Sequence, residues 1–189
     1  MSIEREYPYF QAIEQLKASI DDCASKGRVL SCLTLLYSAI DVLASLERNP
    51  NEGTQSAFVR WVDAYMLPNS ALHISSMDLY AARCGIIHTF TAESELSRKG
   101  RAKKIVYAWG IASVDSLRQA AHVLGRSEIS VHLKDLIDGF GIAVINYIED
   151  VVKDPDRRER FVEATSTWLV GIDSSAFDGL IAAYNAANS

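Results

Sequence analysis

The sequence predicts a mainly α protein, a four- or five-helix up-and-down bundle with a small β element, and three observations carry that expectation. Apolar residues recur at three- and four-residue spacing through several long segments. Gly, Pro and Asn clusters separate those segments. Two short β-branched and aromatic runs, "IVYAWG" and "ISVHL", fall close together between residues 105 and 133.

Phe10, Ile13, Leu16 and Ile20 place an amphipathic helix over 9–26, closed by Gly27. A second helix, 28–48, carries a wider stripe built on Leu33, Leu36, Tyr37, Ile40 and Leu43, the pattern of a central helix covered on two sides. After "NPNEG", Thr54 is the expected N-cap of a third helix reaching Met66, and Ser75 or Ser76 that of a fourth. A polar, basic run leads into a strand, a short helix over 113–124 and a second strand. A long helix over 134–153 follows, in which Gly139 and Gly141 allow a neighbouring helix to come close. Asp154 caps the next helix, with Pro155 at its first position, and a last helix follows Ser174. One domain, 1–189, is expected: a helical core over 9–100, a strand–helix–strand element over 101–133, and C-terminal helices over 134–189 packing on the core. Leu36, Ile40, Leu43, Cys84, Ile87 and Val144 are its expected buried residues.

With 24 acidic against 19 basic residues the net charge is −5, so any nucleic-acid binding must come from a local patch. The charged start, "MSIEREYPYF", lacks the apolar stretch of a secretory signal, and no run is expected to reach membrane-spanning length. Three cysteines in apolar helical patterns read as reduced thiols, which places the protein in the cytoplasm. Apart from Glu128 and His132, four apart in a strand pattern that gives them no shared helical face, no residues have metal-ligand spacing, and phosphate-loop, dinucleotide and nucleophile-elbow sequences are absent, so neither metal nor cofactor is expected.

The segment "YAARCGIIHTF", 80–90, is apolar nearly all round, yet it carries Arg83 and His88. An unpaired buried guanidinium costs several kcal/mol, about what a buried ion loses with its solvation, so Arg83 must face an acid, a phosphate or a wet cleft. An apolar helix without a polar face also favours association, here a homodimer through this helix.

"RCGIIH" in a buried helix, preceded by the central helix "LLYSAIDVLASL", resembles the HEPN (higher eukaryotes and prokaryotes nucleotide-binding) superfamily, over roughly residues 9–100. The resemblance implies a metal-independent endoribonuclease acting on RNA, with His88 taking the 2′-hydroxyl proton and Arg83 stabilising charge on the phosphoryl oxygens. It also implies a composite site in a dimer, and a defence or toxin–antitoxin setting with an antitoxin or other protein partner. Five residue steps put Arg83 and His88 about 140° apart on one helix, so they are not expected to converge within one chain. The chain departs from the family at Cys84, where a polar residue is usual. It departs again at Phe90, where one branch carries a modifiable tyrosine. The first departure favours the second reading, a non-catalytic module binding a nucleotide, RNA or a protein; the second argues against regulation by modification of that tyrosine.

Arg98, Lys99, Arg101, Lys103 and Lys104 form a basic run just after this helix and read as an RNA-binding rim. Arg126 and His132 repeat the spacing outside an apolar helix and are taken as a chance match. Arg157, Arg158 and Arg160 are expected to pair with acidic neighbours on their own surface helix.

Overall fold

A computed structural model describes residues 5–68, 70–168 and 174–187. Among these, nine helices and two short strands follow the predicted order, and the fold is mainly α with a two-stranded sheet. Helices α1 (Tyr7–Ser25) and α2 (Val29–Leu46) form a hairpin through Gly27, whose φ of +67° suits the turn. Helix α3 (Thr54–Trp61) packs on α2. Its cap differs from expectation: Gly53 occupies the N-cap position and Thr54 is already helical. The predicted helix to Met66 also changes pitch, because Val62–Met66 is a π-turn, closed by Leu67 N–H donating to the Val62 carbonyl at 3.0 Å.

Helix α4 (Ser76–Thr89) carries the Arg83–His88 segment and packs on α2 and α3. The one-turn helix α5 (Glu95–Arg98) leads to strand β1 (Ile105–Ala108), helix α6 (Val114–Val123) and strand β2 (Ile129–His132). The strands pair in parallel, with Ile105 opposite Ile129, and α6 is the crossover that parallel pairing demands. Helix α7 (Leu133–Lys153) follows directly. Gly139 lets the 70–72 segment pack closely: a Cβ there would lie 3.1 Å from Ser70 Cβ. Gly141 has only an ordinary neighbour in Lys17. Helix α8 (Pro155–Thr165) is capped by Asp154 Oδ1, which accepts from Asp156 and Arg157 N–H, and α9 (Ser174–Ala187) leaves Ile181 and Tyr184 exposed.

Leu36, Ile40, Leu43 and Val144 are buried as expected, whereas Cys84, which lines a cleft, and Ile87, at the margin of the core, are half-buried. The expectation about membrane-length runs is corrected by α2, whose 18 residues at a mean hydropathy of 1.9 are long and apolar enough to cross a membrane. Eight of its residues are instead buried within this chain. The apolar surface of α4 is likewise spent internally: Leu79, Ala81, Ala82 and Ile86 are buried, and Phe90 just beyond it is exposed.

Two arginines of α8 tie distant parts together instead of pairing locally. Arg158 forms a bidentate, buried ion pair with Glu6, the residue just before the start of α1. Arg157 donates to Glu47 Oε1 at 2.7 Å and lies over the rings of Tyr65 and Tyr147. Planar guanidinium groups suit both uses.

Candidate active site

Ser75 and Asp78 start α4 with a reciprocal capping box, which fixes the helix that carries Arg83 and His88. Asp41, the one charged residue within α2, faces Arg83 across the α2–α4 contact. Its Oδ2 accepts from Arg83 Nε at 2.6 Å and lies 2.5 Å from Nη2, and both side chains are about 15% exposed. Burial works against the charge on Arg83, but the hydrogen bond and proximity of Asp41 outweigh it and raise the guanidinium above its ordinary range. Asp41 is the acid that Arg83 required, and the sequence reading missed it. Its signal was a lone carboxylate inside an otherwise apolar helix.

The remaining nitrogen, Nη1, lies 3.1 Å from His88 Nε2. The two residues thus converge within one chain, against the expectation from their 140° separation, because the long arginine side chain reaches along the helix. A guanidinium can only donate, so in this contact Nε2 is the acceptor. Arg83 also lies 5.8 Å from the Tyr80 ring centre, and Nη1 comes within 3.9 Å of Cys84 Sγ. Burial, with the nearby Cys84 thiol, raises the Tyr80 phenol above its ordinary range.

Gly85 shapes the space in front of His88. The chain folds back over α4 after the left-handed Phe90, and Thr91 N–H donates to the Gly85 carbonyl at 3.2 Å. A Cβ at Gly85 would stand 2.4 Å from the Thr91 carbonyl oxygen, so only glycine admits this return. The segment 91–96 forms one wall of an open cleft of about 810 Å³; Tyr80, Cys84 and His88 line the other, and Arg98 and Lys104 also border it.

The predicted basic run divides. Arg98 and Lys104 border this cleft, Lys104 with its charge 3.1 Å from Glu93. Arg101, Lys103 and Lys104 line a second cleft of about 680 Å³. Lys99 lines neither and pairs with Glu95 at 2.5 Å, a surface ion pair one helical turn long. Arg126 and His132, the chance match, are apart: Arg126 borders the second cleft, while His132 Nδ1 caps α7 by accepting from Lys134 N–H. Among the described residues no three His, Cys, Asp or Glu side chains are grouped to hold a metal ion. No protein-family model matches this chain, and no curated protein or solved structure matches it significantly.

Proposed function

We propose that this chain is a HEPN-like endoribonuclease that cleaves single-stranded or loop RNA without a metal ion. The observation that carries the reading is the 3.1 Å contact between Arg83 and His88, of which His88 lines an open cleft. A phosphodiester entering the cleft competes for the Arg83 Nη1 protons. As Nη1 turns to a phosphoryl oxygen, the His88 Nε2 lone pair is released and takes the 2′-hydroxyl proton. The 2′-oxygen attacks phosphorus, the 5′-oxygen leaves and takes a proton from water, and the products are a 2′,3′-cyclic phosphate and a 5′-hydroxyl. Asp41 Oδ2 holds both Nε and Nη2, and the rigid guanidinium pivots on that one oxygen as Nη1 turns. The helices of 9–100 serve as the HEPN-like core in this reading, and a defence or toxin–antitoxin setting with a protein partner belongs to it. A homodimer also belongs to it, although the Arg83–His88 contact needs no second copy.

The test is labelled RNA incubated in EDTA with wild type, Arg83→Ala and His88→Ala. Each substitution is expected to reduce cleavage about 10²–10⁴-fold, the usual loss of a general base or charge stabiliser. Equal cleavage by all three proteins would mark a contaminant. The alternative, a non-catalytic binding module, is favoured by Cys84 after the arginine and by the grip of Asp41 on two of the three guanidinium nitrogens. Retained RNA binding with no cleavage across several sequences would establish that alternative.

A further inference from the structure

The cleft beside His88 is not the more positive of the two. Its bordering charges balance: Arg98 and Lys104 face Glu93 and Glu95. The neighbouring cleft brings together Arg101, Lys103, Lys104 and Arg126 against Asp78 and Glu128. Asp78 is already engaged, accepting from Ser75 Oγ at 2.7 Å and from Lys103 N–H at 2.6 Å. Glu128 lies 4.0 Å from Arg126, at the limit of an ion pair, and Arg101 and Lys103 make no ion pair among the described residues. Lys104 borders both clefts, so the two are adjacent.

We infer that this second cleft anchors the phosphates of the same single-stranded RNA, beyond the nucleotides at His88. The inference rests on the RNA reading of the first cleft and adds a substrate preference: strands long enough to pass Lys104 and fill the second cleft are favoured over short ones. Its cations come from two places far apart in sequence, the 98–104 run and the turn before β2. Parallel pairing of β1 with β2 brings them together, with Ile129 N–H bonded to the Lys104 carbonyl at 2.8 Å. Contacts of this kind read phosphate and not base, so the anchor is indifferent to sequence. DNA of the same length should occupy it as well, while offering no 2′-hydroxyl to the first cleft.

The experiment measures binding of fluorescein-labelled RNA of 4 and 12 nucleotides to the His88→Ala protein across a salt series, with and without the triple change Arg101→Ala, Lys103→Ala and Arg126→Ala. Arg118→Ala, which removes an exposed charge paired with Asp115, is the control. The expected result is tighter binding of the 12-mer than of the 4-mer, and loss of that advantage in the triple variant alone. The slope of log affinity against log salt should flatten by about 2, three phosphate contacts at about 0.7 each for a single strand. Thermal melting checks that the triple variant is folded; Arg126→Glu alone, expected to weaken the 12-mer and not the 4-mer, provides a milder second variant. Equal affinities and slopes for triple variant and control would overturn the anchor, whatever the cleavage assay finds. Selective loss of the 12-mer would uphold it even where wild type proves unable to cleave, so the anchor and the catalytic reading fail separately.

Discussion

At the residue scale, His88 owes its hydrogen-bond partner to Arg83, and Arg83 owes its position to Asp41. Removing Asp41 leaves a largely buried guanidinium without an acid, so Asp41→Ala should lower stability by about 1.5–3 kcal/mol, the range for a hydrogen bond to a charged group. Chemical denaturation measures it. Arg83→Lys keeps the charge but offers one ammonium where three nitrogens reach Asp41 and His88 together; it should therefore restore little of the cleavage lost in Arg83→Ala. The thiols differ in the same local way. Cys32 is fully buried, and that burial pushes its thiol up to about 11, while Cys84 borders the first cleft. Alkylation of the native protein should label Cys84, spare Cys23 and Cys32, and weaken RNA binding; mass spectrometry of the digest reads the sites. Arg83 and His88 were legible because polar residues in an apolar helix demand a partner. Asp41 obeyed the same rule from α2 and went unread, since pairing between helices depends on which faces meet.

At the scale of elements, Gly85 decides whether the cleft exists. Gly85→Ala drives a methyl group into the Thr91 carbonyl, so the return over α4 must shift, at a cost of about 1–3 kcal/mol. Cleavage should fall with it, and the melting temperature is the check. The β element is fastened to the core by the 2.6 Å hydrogen bond between Tyr37 and Tyr107 hydroxyls, and Tyr37 is fully buried. Tyr107→Phe strands the Tyr37 hydroxyl and should cost about 1–3 kcal/mol, whereas Tyr37→Phe with Tyr107→Phe should cost less than that single change. The two strands and α6 were readable from alternation and capping. Their parallel pairing was not, because two four-residue strands carry no orientation signal of their own. The π-turn at Val62–Met66 escaped for a similar reason: apolar spacing at Trp61, Val62, Tyr65 and Met66 suits either helical pitch.

At the scale of the whole molecule, ion pairs between distant segments set the response to acid. The hydrogen bond from Arg158 holds the Glu6 carboxyl below its usual value, against the opposing effect of burial. The Arg60 hydrogen bond, helped by Asn49 N–H, brings Glu52 down to about 2. Carboxyls depressed in this way contribute their stability above the ordinary value near 4.5 and lose it as pH falls through the folded value. Denaturation midpoints should hold steady from pH 7 to about 5 and drop toward pH 2, less steeply in Glu52→Gln, as a series of urea melts would record. That Arg157 and Arg158 serve long-range ties was beyond the sequence, since the acids beside them on α8 offered nearer partners. The Glu6–Arg158 pair also has a consequence in time. Its partners lie 152 residues apart, so at about 5–20 residues per second a ribosome delivers the arginine roughly 8–30 s after the glutamate. The α1–α2 hairpin can close early in that interval, but Glu6 waits for its counter-charge until α8 has been made. A nascent chain stalled before α8 should therefore leave the beginning of α1 open to proteases, and release from the stall should close it.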